Sequence, residues 1–181
     1  MPFQELPAEV REMLAKYAAS PRLVAHLTVV YDVAVALVKQ LSIIWPSLVY
    51  DQESVLLGAA THDIGKIRYP NELTGPGDQH EEIGPQMLRE NGFPEKHARF
   101  ARTHARWDRE TPVKLEDTLV AFADTIWKGQ RNNDLEQEIT QQIASQIQEE
   151  AWNVYMKLDD LTSELEKGAH ERILWQGKYP V

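Results

Sequence analysis

The chain has 181 residues, of which 43% are hydrophobic; it carries a formal charge of −9 and contains no cysteine. That length suffices for one domain with a proper core. Disulfides, thiolate catalysis and cysteine-type zinc sites are excluded, and the acidic balance argues against nonspecific binding to a nucleic-acid polymer or an anionic membrane, while leaving a small phosphorylated substrate open.

The hydrophobic pattern is helical nearly throughout. Residues 7–19 open with Pro7 and continue with good helix formers. Ser20-Pro21 is an N-cap and first-turn pair that opens a second helix to about Ile44, where Pro46 stops it. Its most apolar part, residues 23–38, is interrupted by His26, Tyr31 and Asp32, so it reads as a central buried helix rather than a membrane span. Met1-Pro2-Phe3-Gln4-Glu5 lacks the character of a secretory signal, and a cytoplasmic protein is expected.

Asp51 caps a third helix, whose Gly58-Ala59-Ala60 run allows a neighbouring helix close, and Gly65 reads as its terminator. Residues 67–78, with Pro70, Gly75, Pro76 and Gly77, read as a loop. A short helix follows from His80 to about Gly92, and Pro94 begins another carrying Phe100, Ala101 and His104. A polar loop over residues 107–114 leads to an apolar helix, Leu115 to Trp127. Beyond it Leu135, Ile139, Ile143, Ile147, Ala151, Val154, Leu158, Leu161 and Leu165 keep one stripe, predicting a single amphipathic helix of roughly 45 Å. That stripe packs on its own domain or pairs with a second copy, the first being favoured. No alternating pattern and no repeat appears. The expected fold is an all-α, single-domain orthogonal bundle over residues 1–181. Its motif core covers about 20–130 and its helical extension about 134–176.

Chemistry concentrates in a few residues. His62-Asp63 ends a strongly apolar segment, and imidazole and carboxylate are costly to bury unless paired or bound to metal. His26, His80, His104 and Asp124 also stand in apolar surroundings. Each alone has a plainer reading: His26 as a hydrogen-bonded core residue, His80 as a helix start, Asp124 as a surface group or an arginine's partner. His97, flanked by Glu95, Lys96 and Arg99, reads as solvent-facing, and so does His170. Together the six suit divalent manganese, iron, cobalt, zinc or magnesium. They are too many for one catalytic metal with open positions and fit two metals sharing a carboxylate.

In order these residues read H…HD…H…H…D, and the chain resembles the HD superfamily over roughly residues 20–130. His26, His62-Asp63 and Asp124 match its four core positions. His80 and His104 match the branch with a dinuclear site, and Thr61-His62-Asp63-Ile64-Gly65-Lys66-Ile67 looks like its doublet context. The resemblance implies one metal on His26, His62, Asp63 and Asp124 and a second on His80 and His104, with Asp63 bridging. It implies hydrolysis of phosphate esters, often of nucleotides. Residues 62–84 look like the HD-GYP phosphodiesterases, but Ala105 follows His104 and no Gly-Tyr-Pro triplet appears. The site looks closer to small bacterial HD phosphohydrolases that cleave nucleotides or dinucleoside polyphosphates.

The reaction expected is attack of a metal-activated water on phosphorus, with Asp63 orienting it. Lys66, one turn after His62, is the candidate for the phosphate oxygens, with Arg106 as a bidentate contact beside Arg102 and Arg109. Lys66 equally reads as a snorkelling surface lysine, and each arginine as a solvated helix end. Trp107 packs or stacks on a base, and residues 68–79, with Tyr69 and Asn71, form a rim or lid. Two rivals stand beside the hydrolase. One is a diiron oxygenase of the inositol- or phosphonate-cleaving type. The other is a non-catalytic, metal-stabilised interaction module.

Overall fold

The computed structural model describes residues 3–109 and 112–181; Met1, Pro2, Glu110 and Thr111 of the sequence reading lie outside the described residues. Ten α-helices and three short 3₁₀ turns, with no strand, make up the described chain. The helices are α1 (Ala8–Lys16), α2 (Pro21–Ile44), α3 (Gln52–Thr61), α4 (Gln79–Glu90), α5 (Glu95–Ala98), α6 (Phe100–Thr103), α7 (Leu115–Ile126), α8 (Asn133–Ile147), α9 (Ala151–Glu166) and α10 (Ala169–Gly177).

Their starts follow the expected chemistry. The Ser20 hydroxyl accepts from the Leu23 amide with Pro21 at the first position, and the Asp51 carboxylate accepts from the Ser54 amide at 3.0 Å. Asp51 also accepts from the Ser54 hydroxyl, and these bonds hold its pKa at about 2. Asp51→Ala should cost roughly 1 kcal/mol of stability near neutral pH. A depressed carboxylate pKa contributes stability above its ordinary value near 3.8, lost as pH falls towards about 2. The gap between wild type and variant should therefore close over that window in urea melts.

α2 is the central helix and is long and apolar enough to cross a membrane by composition. In the fold its side chains enter two cores instead. Val33, Leu37 and Leu41 meet Val55 and Ala59 of α3, Leu119 and Phe122 of α7, Ile139 and Ile143 of α8 and Leu158 of α9. Leu23 and Leu27 join Val10 and Leu14 of α1, Ile64 and Leu88. A Cβ on Gly58 would lie 2.7 Å from Val120 and 2.8 Å from Phe100, so α3 approaches α7 as its small residues predicted.

The C-terminal stripe corrects one expectation. It is not one helix: Gln148 adopts a left-handed conformation at φ 55°, and α8 and α9 fold back on each other as a hairpin. The stripe residues Leu135, Ile139, Ile143, Val154, Leu158, Leu161 and Leu165 are buried against the chain's own core. The segment after Pro94 is likewise divided, into α5 and α6 at Arg99. The loop of residues 67–78 contains the 3₁₀ turn Pro70–Leu73.

Candidate metal centre

The ends of five helices meet below one pocket. α2 contributes His26; His62 caps the C-terminus of α3, and Asp63 follows it into the 3₁₀ turn Ile64–Ile67. His80 is the second residue of α4, His104 the C-cap of α6, and Asp124 lies in the last turn of α7. The C-terminal ends of α3 and α7 direct their negative dipole ends towards this point, which favours a cation there. His62 is fully buried and Asp63 is 1% exposed.

Gly65 brings the two halves together. A Cβ at this position would stand 2.1 Å from the backbone carbonyl oxygen of His80, so only a glycine lets the turn lie against the start of α4. Its role is close approach, not termination of α3 in a left-handed conformation: its φ is not positive.

Asp63 is shared between two donor groups. Its Oδ2 lies 3.0 Å from His26 Nε2 and 3.6 Å from His62 Nε2, and its Oδ1 lies 3.2 Å from His80 Nε2 and 3.6 Å from His104 Nε2. Asp124 Oδ1 is 3.3 Å from His62 Nε2 and 3.5 Å from His26 Nε2. Two clusters with metal-ligand spacing result, His26 with His62 and Asp124, and Asp63 with His80 and His104. The structure thus brings all six predicted ligands together.

The imidazoles are oriented for metal. His62 Nδ1 pairs with the Ala59 carbonyl at 2.9 Å and His104 Nδ1 with the Phe100 carbonyl at 3.1 Å; with Nδ1–H donating, each Nε2 carries its lone pair inward. His80 Nδ1 lies 2.5 Å from the Glu72 carboxylate, which also accepts from the amides of Gln79 and His80. His26 and His62 Nε2 are only 3.2 Å apart. Two ligands at right angles about one metal, each about 2.1 Å from it, stand at about that separation. Asp63 Oδ1 and His80 Nε2 are buried without a hydrogen-bond partner. Orphaned atoms of this kind are what a bound cation satisfies, so the residues fit the metals the ligand chemistry implies.

The electrostatics agree. Burial disfavours the Asp63 carboxylate, yet His62, His26 and His80 outweigh it and hold its pKa well below the ordinary range. Asp124 is likewise lowered, burial being overcome by His62 and His26. Burial opposes protonation of His62 and His80, but the nearby carboxylates raise both. Burial and the neighbouring His62 push His104 down to about 4. A metal bound here would compete with protons for these imidazoles, so its affinity is expected to fall as pH is lowered.

Glu72 escaped the sequence reading, although a carboxylate eight residues before a candidate ligand was the available signal. Its charge fixes the ring of His80. Glu72→Gln keeps one oxygen to accept from the His80 ring and amide but loses the charge and the oxygen that accepts from the Gln79 amide. It is expected to weaken metal binding about 10- to 100-fold in equilibrium titrations while the fold persists.

A pocket of about 350 Å³ opens over the centre, lined by His26, Asp63, Lys66, Leu73, Gly77, His80, Glu81, His104, Ala105, Asp124, Trp127, Lys128 and Gln176. Lys66 stands in the 3₁₀ turn and lines the pocket, its ammonium 2.6 Å from Asp63 Oδ2. Lys128 was missed, yet it follows Asp124 by four residues and so shares its face. Arg102, Arg106 and Arg109 do not line the pocket. Arg106 pairs with Glu81, with Glu82 at 3.0 Å and with Asp78 at 3.3 Å; Arg102 and Arg109 lie on exposed surface. Desolvation raises the Glu81 pKa although Arg106 opposes it. Trp107 packs against the main core. From the loop, Leu73 and Gly77 reach the pocket, whereas Tyr69 and Asn71 do not.

His97 is also corrected. It is 5% exposed, with Nε2 buried and unpartnered, because α5 turns it inward despite its charged neighbours. It belongs to neither metal cluster. His170 is exposed, as expected.

The chain is similar to a tRNA (cytidine(56)-2'-O)-methyltransferase of Thermoplasma volcanium, 26% identical over 142 residues, covering 71% of this chain and 38% of the relative. It is also similar to an uncharacterized protein of Methanocaldococcus jannaschii, 33% identical over 103 residues, covering 49% of this chain and 57% of the relative. In both, the aligned part is less than two thirds of the relative's length. No solved structure matches. The HD domain family matches residues 10–127, a stretch that holds all six candidate ligands. The chain belongs to the HD domain family.

Proposed function

We propose that this protein is a metal-dependent phosphohydrolase that cleaves a phosphate ester or anhydride of a nucleotide or a related small molecule. The observation that carries the reading is the division of the two Asp63 oxygens between two donor clusters on the floor of a pocket flanked by lysines. His26, His62 and Asp124 would hold one divalent ion, His80 and His104 the other, and Asp63 both. Bound there, the ions polarise a phosphoryl oxygen and lower the pKa of a water.

The chain's own groups supply the rest. Lys66 Nζ, fixed on Asp63, places a cation beside the floor, where negative charge grows during displacement. Lys128 adds a second cation on the α7 side. These two lysines replace the arginine cluster as phosphate contacts, since three carboxylates neutralise Arg106. Leu73 and the Trp127 ring form apolar wall.

The pocket volume lies in the range of small-ligand sites. By its name the Thermoplasma volcanium relative acts on tRNA. Alignment to 38% of that protein and a charge of −9 favour a small substrate here. The test is phosphate release from nucleoside mono-, di- and triphosphates and dinucleoside polyphosphates with added manganese, cobalt, iron or magnesium. Turnover that a chelator abolishes and metal restores is expected. A metal-loaded chain that releases no phosphate, or an iron-loaded one that consumes oxygen instead, would overturn the reading.

A further inference from the structure

The family match ends at Trp127, but the pocket wall does not: Gln176 of α10 completes it. This helix is fastened at both ends. Near its start the buried Arg172 donates from Nε to the Trp127 carbonyl at 2.7 Å and from Nη2 to the Leu165 carbonyl at 2.6 Å. Just beyond its end, Arg22 donates from Nε to the Tyr179 carbonyl at 2.7 Å and from Nη2 to the Gly177 carbonyl at 3.2 Å. The Arg22 amide also bonds the Pro180 carbonyl at 2.9 Å. Trp175 adds edge-on packing against Phe3 and Tyr179. So α10 is clamped between the end of α7, which bears Asp124 and Trp127, and the start of α2, which leads to His26.

Two polar atoms on this wall are left over. Gln176 Oε1 is buried and has no hydrogen-bond partner, and Trp127 Nε1 is in the same condition. A buried acceptor and a buried donor without partners are both costly, and both residues line the pocket. The lysines and metal ligands suit a phosphate; a neutral acceptor and a neutral donor on the same wall do not need one. It suits a group that offers both functions, such as a sugar hydroxyl or a base edge.

We propose that Gln176, assisted by Trp127 Nε1, is a specificity-determining residue that recognises the nucleoside part of a nucleotide substrate, so that α10 makes the site prefer nucleotides to simple phosphoesters. This rests on the phosphohydrolase reading for the substrate class. A site built to hydrogen-bond a substrate group discriminates against an analogue that lacks it.

The test compares adenosine 5′-monophosphate with phenyl phosphate, which carries neither hydroxyl nor amine on its organic part. Calorimetric binding, phosphate release and metal content are measured on the metal-loaded full chain for wild type, Gln176→Leu and the length-preserving Gln176→Met. The wild type should prefer the nucleotide, and both variants should lower the ratio of nucleotide to phenyl phosphate affinity about tenfold with metal content unchanged. An unaltered ratio, an equal loss for both compounds, or a wild type without preference would overturn the assignment. If the wild type binds both compounds selectively but releases no phosphate from either, the hydrolase reading falls while the binding ratio still decides the role of Gln176.

Discussion

Asp63→Ala is expected to lose both metal ions and to lower phosphate release by about a thousandfold or more, which corresponds to about 4 kcal/mol of barrier. The reason is geometric. Each carboxylate oxygen serves a different cluster, at 3.0 Å from His26 on one side and 3.2 Å from His80 on the other. Among the described residues no second carboxylate pairs with both groups; Asp124 pairs with His26 and His62. Removal also frees the Lys66 ammonium, whose charge then stands among imidazoles. His97→Ala is the contrasting case. It should keep both metals, because His97 is in neither cluster, but lose about 1–3 kcal/mol of stability, because the ring is buried. Metal analysis and thermal melts of the two variants separate loss of the centre from loss of the fold.

Gly65→Ala should be nearly as damaging through a single methyl group. The added Cβ would meet a backbone carbonyl, that of His80, at 2.1 Å, and neither partner is the end of a flexible side chain. The start of α4 must retreat, taking His80 away from Asp63. Overpacking of this kind costs about 1–3 kcal/mol or more. The metal held with His80 and His104 should be lost before its neighbour. Gly177→Ala meets nothing within 4 Å and serves as the control, with stability and metal content retained. A Gly65→Ala chain with wild-type melting and full metal content would refute the close contact.

That the six candidate ligands come together was legible in the sequence because imidazoles and carboxylates at the ends of apolar segments have few explanations other than burial together. Capping by Ser20 and Asp51 was legible because it is local. What failed was non-local. His97 has charged sequence neighbours, yet the inward face of α5 decides its burial. Arg106 looked available because its carboxylate partners, Asp78, Glu81 and Glu82, stand more than twenty residues away. The break at Gln148 was hidden because a non-glycine residue makes the left-handed turn and the apolar stripe continues across it. Lys128, Glu72 and Gln176 carry no signal of rarity. Only packing brings α10 back to the mouth of the centre.

The most direct test of the proposed dinuclear centre is elemental analysis of the purified wild-type chain beside Asp63→Ala, after dialysis against metal-free buffer. Close to two divalent ions per wild-type chain, and none in the variant, is the result predicted by a carboxylate shared between His26–His62–Asp124 and His80–His104. A wild-type chain without metal, or an Asp63→Ala chain that keeps two ions, would contradict it.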